Sequence, residues 1–134
     1  MVGILVVSHS ADAAKGICDI ASTMTGEENC ALIDWVGGDE GRLGVSVGMI
    51  LDVLAEMLTR CEGVLIVPDI GSSVLSARSA VDMLRLQDAS RVTIADAPVL
   101  EGAIMAAVEA AEGACLSDVA NSAYEARNLI KSDH

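Results

Sequence analysis

The sequence predicts an α/β fold: an open, mainly parallel four-stranded sheet with helices on both faces. Three observations carry the prediction. Short runs rich in Val, Ile and Leu recur without polar alternation, as strands buried on both faces do. Segments of helical spacing lie between them, and alternation of this kind builds a parallel sheet. The chain has 134 residues, 52% of them hydrophobic, which is enough for one core and too few for two, so residues 1–134 read as one domain.

The first strand is Val2-Gly3-Ile4-Leu5-Val6-Val7, which breaks at Ser8-His9-Ser10. Ser10 is a competent N-cap for a helix whose apolar stripe is Ala14, Ile17, Cys18 and Ala21, and Gly26 ends that helix. A second strand, Cys30 to Val36, leads into a glycine-rich loop from Gly37 to Gly44. Ser46 caps a second helix with the stripe Ile50, Leu51, Leu54 and Leu58, while Asp52, Glu56 and Arg60 lie four apart on its outer face. The third strand, Gly63 to Val67, exits through Pro68-Asp69-Ile70-Gly71-Ser72-Ser73. A third helix is predicted from about Val74 to Gln87, burying Val74, Ala77, Val81 and Leu84. The fourth strand is Arg91 to Ala95, leaving through Asp96-Ala97-Pro98. Two last helices carry Leu100, Ile104, Ala107 and Val108, then Val119, Ala126, Leu129 and Ile130, separated near Gly113 to Ser117.

Composition narrows the function. With one Trp, one Tyr and no Phe, the core is aliphatic, and the methionines read as its gap-fillers. A formal net charge of −12 argues against nucleic acid and against anionic membrane surfaces. The acidity either complements a basic partner or reflects general adaptation, and its spread along the chain favours the second. Cys18, Cys30, Cys61 and Cys115 are isolated, with no C-x-x-C, and read as small buried hydrophobes rather than zinc ligands. No segment is long enough to span a bilayer and no signal peptide is visible, so a cytoplasmic protein is expected.

In an open α/β sheet, chemistry collects beyond the carboxyl ends of the strands. His9 falls there, whereas the other histidine, His134, ends the chain. A neutral imidazole attacks phosphorus through one nitrogen when an acceptor holds the other, and Asp69 at a neighbouring strand end suits that task. A hydrogen-bonded His9 without chemistry, and Asp69 as an ordinary turn residue, stay open as alternatives. Ser10, Ser46, Ser72 and Ser73 fall at predicted helix starts, where hydroxyls and free N–H groups either cap the helix or hold a phosphoryl group. Gly37, Gly38 and Gly44 let the backbone approach an anion, but the loop lacks the G-K-[ST] ending of a nucleotide-binding P-loop. Ser8 and Ser10 are weak hydrolase nucleophiles, because no G-x-S-x-G is present.

Together V-V-S-H-S, G-R-L-G-V-S-V-G-M-I, V-P-D-I-G-S-S and A-P-V-L-E-G-A resemble the phosphocarrier subunits (DhaM) of PEP-dependent dihydroxyacetone kinases. Their enzyme IIA domain is similar to that of the mannose-type phosphotransferase system. The resemblance runs from Met1 to about Asn128 and implies a mannose-type EIIA-like fold. By the same match His9 carries phosphate and Asp69 orients its ring, while Ser10, Gly38, Ser46, Gly71 and Ser72 line the phosphoryl pocket. It also implies the histidine carrier protein HPr as phosphate donor, ADP on the kinase subunit DhaL, working with DhaK, as acceptor, a homodimer, and no cofactor or metal. A sugar-permease EIIA of the mannose class and a phosphohistidine regulatory protein are the alternatives. Two departures stand out: Gly44-Val45-Ser46 replaces a G-T-S triplet, and Pro68 precedes the aspartate where the family is usually non-proline.

Overall fold

All seven residues of strand β1 (Val2–Ser8) are buried, as expected of a strand flanked on both sides and covered on both faces. The computed structural model describes residues 1–26 and 32–132. After β1 come α1 (Ala11–Thr25), β2 (Ile33–Gly37), α2 (Val47–Leu58), β3 (Gly63–Pro68), α3 (Gly71–Asp82), α4 (Leu86–Ala89), β4 (Val92–Ile94), α5 (Val99–Ala111) and α6 (Leu116–Glu125). A 3₁₀ turn, Ala126–Asn128, follows. The strands pair in the order β2-β1-β3-β4, and every pairing is parallel.

Two cores fill the two faces. On one, Ile4, Val6, Leu65 and Val67 pack with buried residues of α1, α5 and α6. On the other, Leu5, Val7, Val64 and Ile66 pack with α2 and α3. The chain therefore leaves β1 towards one face and β3 towards the other, although these strands are neighbours. Such a switch point leaves a crevice at the carboxyl edge. His9 follows β1 and Asp69 follows β3, so both stand at that crevice.

Local sequence explains the junctions. Ser10 accepts the Ala13 N–H at 3.2 Å, capping α1, and Gly26, with φ of 76°, ends it. Ser46 caps α2 in the same way through the Met49 N–H. A Cβ on Gly37 would lie 2.6 Å from the Ser10 carbonyl oxygen, so only glycine lets the end of β2 press against the start of α1. Pro68 is tolerated because β4 pairs only as far as Ile66↔Ile94, so no β4 acceptor waits for its missing N–H.

Several expectations are corrected. Helix α3 begins at Gly71, not Val74, and ends at Asp82. Arg85 adopts an extended backbone there and starts the separate α4; no glycine or proline marks this break. In α5 the buried face is Gly102, Ala103, Ala106, Ala107 and Ala110, because the helix is wedged against β1, α1 and α6 and small residues permit close approach. Val108 is exposed. Leu129 and Ile130 are exposed, since the chain has left α6 before reaching them. Among the methionines Met57 is fully buried, whereas Met1, Met24, Met49 and Met83 lie on outer faces. Cys18 and Cys61 are buried, but Cys115 is exposed at the N-cap of α6. Burial, with Asp34 and Asp19 nearby, pushes the Cys18 thiol up to about 12, the mark of an inert thiol. Cys30 and Ala31 of the predicted second strand, and His134, lie outside the described residues. No helix among the described residues is long and apolar enough to cross a membrane.

Candidate active site

Asp69 organises the carboxyl edge. Its backbone N–H donates to the Val7 carbonyl at 2.9 Å, extending the β1–β3 ladder by one bond. Its carboxylate then reaches across to the residues that follow β1. Oδ2 accepts the His9 backbone N–H and the Ser8 hydroxyl, each at 3.0 Å. Oδ1 accepts the Ile70 N–H at 2.8 Å and the Ser73 hydroxyl at 2.5 Å. The His9 ring completes the set, with Nδ1 3.1 Å from Oδ1.

These bonds fix the charge. Burial pushes the Asp69 carboxyl up, but the hydrogen bonds from Ser73, the His9 and Ile70 N–H groups and the His9 ring outweigh it, and the carboxyl titrates at about 2. A carboxylate only accepts, so Nδ1 is the nitrogen of His9 that carries a proton in this arrangement. Ser72 Oγ stands 2.7 Å from Nε2, within hydrogen-bond reach. The side chains of His9 and Asp69 are 26% and 18% exposed, so the ring reaches solvent while its anchor is sheltered. The ring is thus anchored through Nδ1, and an imidazole held this way can offer Nε2 as a nucleophile when it is neutral.

Consecutive residues of the first turn of α3 flank the two ring nitrogens. Ser72 is exposed beside Nε2, while Ser73 is fully buried with its Oγ 3.1 Å from Nδ1. Ile70 provides no side-chain cap to α3, and among the described residues no hydrogen bond engages the N–H groups of Gly71 and Ser72, whereas those of Ser73 and Val74 donate to the Ile70 carbonyl. Gly71 has open space above it.

The remaining predicted residues are placed differently. Ser10 and Gly38 line a concavity of about 610 Å³ with Gly37, Arg42, Leu43 and Met49, and His9, Asp69 and Ser72 lie outside its walls. The loop is tied to the site through the backbone, where the Gly44 N–H donates to the His9 carbonyl at 2.9 Å. The hydroxyl of Ser46 is engaged by its cap bond and makes no hydrogen bond to the His9 cluster. Val45, standing where a threonine was expected, bridges to Gly38 and packs against the core beneath α2. Its side chain serves packing.

Sequence reasoning missed the roles of Ser8 and Ser73, both buried. A signal existed for each. Ser8 closes an otherwise apolar buried strand, and a buried hydroxyl there needs a partner. Ser73 follows Asp69 by four residues, one turn away if the helix starts early.

The family model described as "PTS system fructose IIA component", EIIA-man, matches residues 3–120. The chain is 38% identical over 109 residues to the phosphoryl donor subunit DhaM of PEP-dependent dihydroxyacetone kinase 2 from Listeria innocua, covering 81% of this chain and 86% of that protein. It is 31% identical to the DhaM subunit of Providencia stuartii and 30% identical to that of Escherichia coli K12, in each case over 94% of this chain. The chain spans only 27% of the length of those two relatives. A crystal structure of a protein of unknown function superposes with a TM-score of 0.80 at 34% identity, covering 92% of both chains. The EIIA component of Streptococcus agalactiae superposes at 0.71 with 12% identity over 98% of this chain and 97% of its own, a likeness of fold. Matched along most of its length by that family model and by DhaM relatives above 30% identity, the chain belongs to the EIIA-man family of phosphotransferase-system IIA components.

Proposed function

We propose that this chain acts as a single phosphocarrier domain in which His9 accepts a phosphoryl group on Nε2 and hands it on. The observation that carries this reading is the His9–Asp69 arrangement, with Nδ1 held at 3.1 Å and Nε2 beside the exposed Ser72 hydroxyl. The lone pair of Nε2 attacks phosphorus, the bond to the donor's leaving nitrogen breaks, and the ring becomes cationic. Asp69, already ionised, stabilises that cation through Nδ1–H. The Ser72 hydroxyl rotates from Nε2 to a phosphoryl oxygen, and the first-turn N–H groups of α3 favour the added negative charge. Phosphoryl transfer asks for such positioning and electrostatics more than for covalent steps by the protein.

The partners follow from the likeness to DhaM, each relative being described as a phosphoryl donor subunit of a PEP-dependent dihydroxyacetone kinase. We assign HPr, or an HPr-like carrier, as donor and ADP on a DhaL subunit, with DhaK, as acceptor, with this chain as a homodimer. Ser10, Gly38 and Ser46 then act by holding the loop and helix ends around His9, and Gly71 and Ser72 by contact with the phosphoryl group. The test is transfer. Labelled phosphate on the chain should pass to ADP on DhaL and appear as dihydroxyacetone phosphate when DhaK is added. Transfer to a sugar permease of the mannose class instead, or stable label with no acceptor, contradicts the assignment.

A further inference from the structure

The bonds that present Nε2 for phosphorus also place a hydroxyl where a serine nucleophile would stand. Ser72 Oγ is 2.7 Å from His9 Nε2, and His9 Nδ1 is 3.1 Å from Asp69 Oδ1. This is the nucleophile–base–orienter order of a Ser-His-Asp triad, which is recognised by geometry and roles on unrelated folds. Ser72 itself is exposed, so an acyl group can reach it. The Ser73 and Val74 N–H groups both turn back to the Ile70 carbonyl, at 2.9 and 3.3 Å. Among the described residues no hydrogen bond engages those of Gly71 and Ser72, at a helix start where Ile70 supplies no cap and a Cβ on Gly71 would meet nothing within 4 Å. Two adjacent free N–H groups beside a nucleophile can receive a developing oxyanion. Leu75, one turn further along α3, and Ile70 are exposed apolar side chains that a short acyl or aryl group could rest on.

We propose that Ser72, His9 and Asp69 form an acyl-transfer triad that hydrolyses small activated carboxylic esters. His9 Nε2 takes the Ser72 hydroxyl proton as Oγ bonds to the ester carbonyl carbon. The tetrahedral oxyanion is held by the Gly71 and Ser72 N–H groups. Its collapse breaks the carbon–alkoxide bond, and the leaving alcohol takes the proton back from Nε2. Water, deprotonated by Nε2, then attacks the acyl-serine, releases the carboxylic acid and returns the proton to Oγ. Phosphate on Nε2 removes the general base, so the two activities exclude one another. The inference stands whether or not phosphate reaches His9 from the proposed donor.

The test uses the full chain with a fluorophosphonate probe and with p-nitrophenyl acetate, and it needs no phosphotransferase partner. A single adduct on Ser72 by peptide mass spectrometry is expected. Adduct formation and ester turnover should each fall on the order of 100-fold in Ser72→Ala and His9→Asn, a loss typical of removing a nucleophile or its base. Ser79→Ala, an exposed serine two turns along α3, should keep wild-type labelling, and circular dichroism verifies that every variant is folded. No adduct, an adduct elsewhere, or turnover unchanged in folded Ser72→Ala or His9→Asn overturns the proposal.

Discussion

The Asp69 carboxylate holds His9 twice, accepting its backbone N–H at 3.0 Å through Oδ2 and facing its ring Nδ1 at 3.1 Å through Oδ1. One acid thus fixes where the residue stands and which nitrogen carries the proton. The two grips join the ends of neighbouring strands whose following helices cover opposite faces of the sheet. Asp69→Asn is nearly isosteric and keeps some of these bonds, but it removes the charge and offers Nδ1 an amide. Phosphorylation of His9 is expected to slow on the order of 100-fold or more. Initial rates of labelling from a phosphorylated carrier measure this, and circular dichroism separates it from unfolding.

The same carboxylate predicts an acid-stability profile. Asp69 titrates at about 2 in the folded chain, below its ordinary 3.8. A depressed folded value adds stability above the ordinary one, and that stability is lost as pH falls through the folded one. The melting-temperature advantage of wild type over Asp69→Asn should therefore shrink between pH 3.8 and about 2 and stay level above. Thermal scans of the two proteins across that window provide the check.

Ser73→Ala removes a buried donor from Asp69 Oδ1 and leaves Ser8 to support Oδ2. Unfolding free energy should fall by about 1–3 kcal/mol, the usual effect of removing a hydrogen bond to a partly buried charge. The Asp69 carboxyl should titrate above its wild-type value of about 2. Urea denaturation and a carbon-13 titration of the carboxyl report the two effects separately.

These serines show what the sequence could and could not convey. The four strands, His9 at the end of the first and Asp69 at the end of the third were legible, because apolar runs and their polar ends are local patterns. The Ser10 and Ser46 caps were legible for the same reason. The start of α3 was not. Two serines after a glycine look like caps, whereas in the fold Ile70 holds the N-cap position and both serines are already helical. That shift of three residues turned Ser73 inward to Asp69 and left Ser72 outside. The alanine face of α5 was hidden for a different reason: larger apolar residues nearby drew the stripe, although a helix packed between two others buries its smallest side chains. The split between α3 and α4 is a tertiary bend with no breaker residue to announce it.

Gly37→Ala tests the packing beneath the site. The added methyl would meet backbone atoms of Ser10 and Ala11 at 2.6 to 2.9 Å, and backbone cannot rotate away. A loss of about 1–3 kcal/mol is expected, typical of overpacking, together with a shift of the His9 amide resonance. Denaturation and a nitrogen-15 correlation spectrum measure both.

Arg91→Ala tests a fastening away from the site. Its guanidinium donates to the carbonyls of Leu58 at 2.7 Å, of Cys61, and of Glu62 at 3.1 Å, joining the end of α2 to the start of β3. Three charge-assisted bonds from one fork predict a loss of about 2–4 kcal/mol. Arg91→Lys should rescue little, because an ammonium cannot span the three acceptors. Urea unfolding of both variants decides it, and labelling of His9 should be unchanged in the folded fraction.

The central claim is tested most directly by nitrogen-15 and phosphorus-31 NMR of the chain after incubation with phosphoenolpyruvate, enzyme I and HPr. The expected result is a phosphorus–nitrogen bond at His9 Nε2 with the proton retained on Nδ1, and no label in His9→Ala. Phosphate on Nδ1, label persisting in His9→Ala, or a ring that stays unmodified under full donor turnover would contradict it.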